Sequence, residues 1–282
     1  MNLAAHLLKS SNSNCQGSGL MEQIRKYPRT HHIEGSRLQP GDEDLDSVPF
    51  SAIANCYVVV EEKVDGANAA ISFSSDGQMR LQSRGHYLTG GEREKHFNLF
   101  KQWAYTHAAA FWQVLGTRYV LYGEWLYAKH TVFYDYLPHY FLEYDLLDME
   151  QEEFLSTQSR KQLLGGLPIV SVPVLFAGRL GSYKQLTALL GNSNFIQSGH
   201  LERFRLSCQE KGLDVERSLK QTDPSYLMEG LYIKVEHEEI VTARYKYIRP
   251  SFLTTVLQSD GHWLNRPIIP NLLRPDVDLF AL

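Results

Sequence analysis

Val58 to Ser74 reads "VVVEEKVDGANAAISFS", and its pattern calls for two extended segments around a tight turn. Three successive valines favour a buried strand. Asp65-Gly66 interrupts the run and "AAISFS" resumes it. Against that pattern stands Lys63, an ionisable side chain closing an apolar run. A lysine at a strand end ordinarily lays its stem over apolar surface and its ammonium in water. Its other use is as a nucleophile, which requires the amine to lose its proton; nearby cations, metal ions included, favour that loss.

Working outwards, "SSDGQ" (74–78) separates "AAISFS" from "MRLQSR", and Asp-Gly between alternating runs is a hairpin signal. From Glu92 to Leu115, the spacing of Phe97, Phe100, Trp103, Ala104 and Phe111 predicts an amphipathic helix packed on a sheet. Strands are expected in "RYVLYGEWLY" (118–127), "HYFLEYDLLD" (139–148), "EGLYIKVE" (229–236) and "EIVTARYKYI" (239–248). "PIVSVPVLFAG" reads as extended; "STQSRKQLLGG", "SYKQLTALLG" and part of "SGHLERFRLSCQEKGLD" read as helical. Hairpins mixed with separate helices indicate an α+β fold with mostly antiparallel sheets.

The 282 residues suffice for one large domain or two small ones. With 43% hydrophobic and 21% charged residues, the composition is that of a soluble globular protein. A net charge of −4 excludes a global basic field, so a nucleic-acid ligand would need a local basic groove. Cys15, Cys56 and Cys208 are odd in number and widely spaced, which points to reduced thiols in a cytoplasmic protein. No apolar run approaches a membrane span. Residues 1–20 are Ser/Asn/Gly-rich and expected to be disordered, 21–250 form the folded domain, and 251–282 a short C-terminal extension.

Chemistry-bearing residues recur in order along the chain. After Glu62, Lys63, Asp65 and Asn68 come "SRG" with Arg84, "YGEWLYAKH" with Glu124, and "YFLEYDLLD" with Tyr144 and Asp145. "EGLYIKVE" follows with Glu229 and Lys234, then "RYKY" with Arg244 and Lys246. Arg244 and Lys246, two apart on a strand, share a face. Paired cations need an anion between them, and phosphate is the natural one. Glu229 and Lys234, five apart, fall on opposite faces of a flat strand. Either Gly230 marks a bulge or Glu229 enters from the preceding loop.

Taken together, these segments resemble motifs I, Ia, III, IIIa, IV and V of the covalent nucleotidyltransferases, the polynucleotide ligases and capping enzymes. Within that superfamily they are most similar to the ATP-dependent RNA ligases of the bacteriophage RNA ligase 2 type. Six short motifs in order are specific where each alone is weak. The resemblance implies a nucleotidyltransferase core of antiparallel sheets flanked by helices, with the nucleotide pocket between them. It implies ATP as substrate, Mg2+ or Mn2+, and a lysyl-AMP on Lys63. Glu62, Asn68, Arg84 and Glu124 would bind the nucleotide, Tyr144 would stack on adenine with Phe141 as rival, and Glu229 would act through the metal. Lys234, Arg244 and Lys246 would neutralise the phosphates.

AMP would pass to an RNA 5′-phosphate and a 3′-hydroxyl would displace it, with no membrane involvement and room for an end-healing partner protein. Three residues depart from the family pattern: Arg244 stands where lysine is usual, Asp65 where the phage type has histidine, and Tyr144 where phenylalanine is common. About 33 residues follow the last motif, fewer than an OB-fold module needs. His31, His32 and Arg37 are candidates for helping to hold RNA. The competing expectations are a DNA ligase or GTP-dependent capping enzyme, and a nucleotide- or RNA-end-binding protein that does not seal.

Overall fold

The computed structural model describes residues 24–37, 47–258 and 266–281; the segment 1–20 and Cys15 lie outside them. In chain order the elements begin with β1 (His31–Ile33), β2 (Ser47–Val48), β3 (Tyr57–Lys63), β4 (Ala67–Phe73) and β5 (Met79–Ser83). Next come α1 (Asn98–Thr106), α2 (Ala108–Leu115), β6 (Tyr119–Trp125), β7 (Phe141–Asp148), β8 (Glu153–Phe154), α3 (Thr157–Leu163), β9 (Val170–Ser171) and β10 (Val174–Arg179). The chain continues through α4 (Tyr183–Thr187), α5 (His200–Glu210), α6 (Val215–Lys220), β11 (Gly230–His237), β12 (Ile240–Ile248) and α7 (Pro250–Gln258). The fold is α+β, with two largely antiparallel sheets and several helices.

Sheet one has the order β10-β3-β11-β12-β1-β2, and sheet two runs β5-β4-β6-β7-β8 with β9 also on β7. The stretch quoted at the outset crosses between them, β3 being central in one sheet and β4 in the other. Gly66 permits that crossing. A Cβ there would lie 2.6 Å from Leu126 Cδ2 and 2.8 Å from the Trp125 carbonyl oxygen. The Asp65 carboxylate accepts from Thr131 N at 2.7 Å and Val132 N at 2.8 Å, anchoring the loop after β6 to the turn.

Each sheet buries one face. Val58 and Val60 of β3 pack with Ile33, Leu186, Leu231 and Ile233. Ile71, Leu121 and Phe141 of sheet two pack against Phe100, Trp103, Phe111 and Leu115, and each such side chain contributes roughly 1.5–3 kcal/mol. Those helical residues are the ones the sequence spacing put on one face. The segment is not one helix, however: a 3-10 turn covers Glu92–Phe97, and α1 and α2 are separated at His107. His107 sits at φ −102° and ψ 14°, outside helical geometry, and turns α2 onto the sheet.

Two features mark the ends of the described chain, where His31 and Arg37 are exposed and His32 is buried. His31–Ile33 pairs parallel to β12. His32, at 0% exposure, bonds Ser36 Oγ through Nδ1 at 2.7 Å, so it serves the core and not an RNA surface. Residues after 266 fold back onto the domain: Asn271 Nδ2 donates to the Leu126 carbonyl at 2.7 Å and its Oδ1 accepts from Tyr134 N at 2.9 Å. Among the described residues no helix is long and apolar enough to cross a membrane.

Candidate active site

Along β3 the period of two places Val59, Glu61 and Lys63 on the face turned from the valine core. Opposite that face, across a cavity of about 950 Å³, sheet two presents Asn68, Glu124 and Tyr144. A space of that size suits a nucleotide. Glu62, Arg84 and Lys246 line it as well.

Lys63 Nζ donates to Glu229 Oε2 at 2.8 Å. Glu229 reaches it from the bend before β11, and the register shift in that strand lies farther on, between Val235 and Glu236. Glu229 therefore enters from the loop. Gly230 follows because a Cβ at that position would overlap the Tyr247 carbonyl. Burial works to lower the Lys63 pKa, but Glu229, Glu124 and Asp65 outweigh it and hold the amine above its ordinary value. The environment is thus acidic, where the sequence argument expected cations. Burial pushes Glu124 up to about 8, with Lys63 opposing and Glu229 and Asp65 adding, and it pushes Glu229 up to about 7, with Lys63 opposing and Asp65 adding.

Among the described residues no three His, Cys, Asp or Glu side chains converge as a metal cage. Mg2+ and Mn2+ favour oxygen donors, and Mg2+ is commonly held by one or two carboxylates plus substrate phosphates. Glu124 and Glu229, two carboxylates whose charges burial disfavours, fit such an ion.

Alternation along β7 puts Tyr144, three residues from Phe141, on the opposite face. The β6–β7 register slips between Tyr122 and Gly123: Glu143 opposes Gly123 and Asp145 opposes Tyr122. Tyr144 is the extra residue. Its ring lines the cavity and its hydroxyl accepts a hydrogen bond from Asn68 Nδ2. Phe141 is fully buried against Phe100 and Trp103.

Lys234 and Arg244 are not on the cavity lining. They oppose one another across β11 and β12 and enter a closed charge cluster beneath it. Lys234 Nζ lies 2.9 Å from Glu61 Oε2 and 3.1 Å from Asp145 Oδ1, and it donates to the Tyr144 carbonyl. Arg244 Nε bonds Asp145 Oδ2 at 2.9 Å, its guanidinium over the Phe154 ring at 3.8 Å.

Arg160 of α3 completes the cluster, 2.9 Å from Glu61, 3.2 Å from Glu143 and 3.8 Å from Asp145. Three cations face three carboxylates, all without solvent exposure except Arg244, which is partly exposed. Burial would raise the Asp145 pKa, but Lys234, Arg244 and Arg160 together hold it down at about 2. The cluster joins β3, β11 and β12 to β7, and so sets the distance between the cavity's two walls. Of the expected phosphate cations, Lys246 stands on the cavity.

Sequence reasoning missed other residues. Arg160 read only as part of a helical segment. Ser193 and Asn194, which hold Glu62 through Oγ at 2.5 Å and Nδ2 at 2.7 Å, carried no motif. Tyr27 and Tyr232 line the cavity, with Tyr27 donating to Asp145. Arg29, His86, Arg93 and His96 also line it. Nothing in a single sequence marks these positions, since folding alone brings them to the cavity.

The family model for RNA ligase matches residues 57–248. No curated protein sequence matches the chain. Among solved structures, the chain is similar to a lysine-to-alanine mutant of the Naegleria gruberi RNA ligase with ATP and Mn, at 16% identity and a TM-score of 0.51, covering 83% of this chain and 59% of that one. It is likewise similar to an apo aspartate-to-alanine mutant of that ligase, at 16% identity and TM-score 0.52, covering 82% and 57%. A glutamate-to-alanine mutant with AMP and Mn gives 15% identity and TM-score 0.51, covering 83% and 59%. The chain spans less than two thirds of the length of these ligases, and at such identity the likeness is one of fold.

Proposed function

The chain belongs to the RNA ligase family, and from that premise we propose that it is an ATP-dependent RNA ligase acting through a lysyl-AMP on Lys63. The observation that carries the reading is Lys63 Nζ at the floor of the cavity, hydrogen-bonded to Glu229 and faced by Tyr144 and Asn68. Adenine would stack on Tyr144, with Asn68, Glu62 and Arg84 around the nucleoside. The α-phosphorus would then meet Nζ. A P–N bond forms and the bond to pyrophosphate breaks; the ammonium loses one proton before attack and a second as the phosphoramidate forms.

Glu229 Oε2 accepts from that nitrogen and, with the ion absent, favours its protonated form; the protons released on reaction pass to water. A divalent ion held by Glu124 and Glu229 would neutralise the carboxylates that keep Lys63 protonated and would stabilise the α-phosphate charge. Lys246 adds a cation beside the leaving phosphates. Lys234 and Arg244 act from below, by holding β7 and Tyr144 in place. The AMP would pass to an RNA 5′-phosphate, and a 3′-hydroxyl would displace it to seal the strand. Free Cys56 and Cys208 support a cytoplasmic setting.

The test is labelling with radioactive ATP and Mg2+ or Mn2+. Wild type should retain label on the protein, and Lys63→Ala and Lys63→Arg should not, because a guanidinium stays protonated. Label on either variant rejects Lys63 as nucleophile. GTP labelling at the ATP rate would favour a capping-type transferase.

A further inference from the structure

The cavity has two walls of opposite character. Around Lys63 its lining carries Glu61, Glu62 and Glu124. The wall formed by residues 83–97 presents Arg84, His86, Arg93 and His96 and no carboxylate. Two acids lie in that segment: Glu92 pairs with Lys95, and Glu94 takes Lys101 Nζ at 2.6 Å and Gly90 N at 2.8 Å, with its other oxygen 3.7 Å from His86 Nε2, so the anion-seeking groups of the wall are the two arginines. Among the described residues neither Arg84 nor Arg93 has a carboxylate partner. The deeper cations differ: Lys63 is held by Glu229, and Lys234, Arg244 and Arg160 are neutralised in the buried cluster.

Placement separates two anions that could use this wall. Arg84, His86 and Arg93 are exposed, whereas Lys63, Glu124 and Tyr144 lie deeper. A mononucleotide can be enclosed at the deep end. A polynucleotide must run out into solvent, and it meets the exposed wall on the way. The protein's net charge of −4 makes such a local patch necessary for a polyanion.

We infer that Arg93, with His86 and His96 beside Arg84, forms the subsite for the phosphates of the polynucleotide end, distinct from the triphosphate of ATP. This rests on the ligase reading and adds residues that none of its motifs contains. Arg93 supplies a guanidinium fork for a phosphate, and His86 is oriented by Ser83 Oγ at 2.9 Å from its Nδ1.

The experiment compares wild type, Arg93→Ala and Arg93→Lys as full-length protein. Self-labelling is measured against ATP concentration, sealing against 5′-adenylylated RNA, and direct binding with a 5′-phosphorylated single-stranded RNA at several salt concentrations. Arg93→Ala should raise the KM for adenylylated RNA about tenfold and reduce the salt slope of RNA binding by about 0.7. The KM for ATP should move less than about twofold, well short of what one charge-assisted hydrogen bond is worth. Arg93→Lys should keep the salt slope and recover part of the affinity.

An equal rise in the ATP KM would assign the wall to the triphosphate and overturn the inference, as would unchanged RNA binding and sealing in Arg93→Ala. Absence of label on wild type would instead overturn the ligase reading, and the RNA-binding arm would still decide the subsite.

Discussion

Replacing Arg160 by leucine removes one cation from a cluster in which Glu61, Glu143 and Asp145 are balanced by Arg160, Lys234 and Arg244. Arg160 is 0% exposed, so water cannot take over its role. One buried negative charge is left uncompensated, and breaking a buried pair in this way costs about 3–5 kcal/mol at neutral pH. Protonation limits the loss. Burial already raises the Glu143 pKa, and Arg160 is the leading influence opposing it. In the variant, folded Glu143 should therefore hold a proton that the unfolded chain releases above about pH 4.3.

Where the folded state binds the extra proton, stability rises as pH falls, by up to about 1.4 kcal/mol per unit. Urea unfolding of both proteins at pH 7.5 and 5.5 measures the gap. It should be about 3–5 kcal/mol at pH 7.5 and narrower by roughly 1–3 kcal/mol at pH 5.5. A gap under about 1 kcal/mol at pH 7.5, or one that widens on acidification, refutes the reasoning. Because the cluster ties β3 to β7, ATP labelling per folded molecule should also fall.

Tyr144→Ala should raise the KM for ATP by about tenfold or more, as loss of a base-stacking ring costs about 1–3 kcal/mol. Phe141→Ala should instead lower stability by about 3–5 kcal/mol with little change in that KM; the reverse pattern would place the adenine on the other face. Burial depresses His139 to about 4, so the unfolded chain binds a proton there before the folded one does. Stability from this group is complete above about pH 6.5 and falls by roughly 3 kcal/mol as pH drops to about 4. His139→Phe, whose ring would remain against Trp103 (4.8 Å between centroids in wild type), should lose less stability over that interval, measured by urea unfolding. Equal acid loss in the two proteins would contradict the assignment.

Local patterns carried much of this protein. Alternation, Asp-Gly turns and the Phe97–Phe111 spacing identified the strands and the helical layer, because those signals are written in neighbouring residues. The order of short motifs identified the family and singled out Lys63, Glu124, Tyr144 and Glu229. What neighbouring residues could not encode is which charges meet. Lys234 and Arg244 look like phosphate cations along the chain. They became a buried brace because the two sheets bring Glu61 and Asp145 to them and α3 adds Arg160. Coulomb interactions depend on distance through space, and burial strengthens them. The acidity around Lys63 comes partly from Asp65 nearby, but its larger contributors, Glu229 and Glu124, are 166 and 61 positions away, and only strand pairing and the packing of the two sheets bring them to it. The slip in register beside Tyr144, which sets Asp145 opposite Tyr122, is likewise a choice made by the pairing of strands.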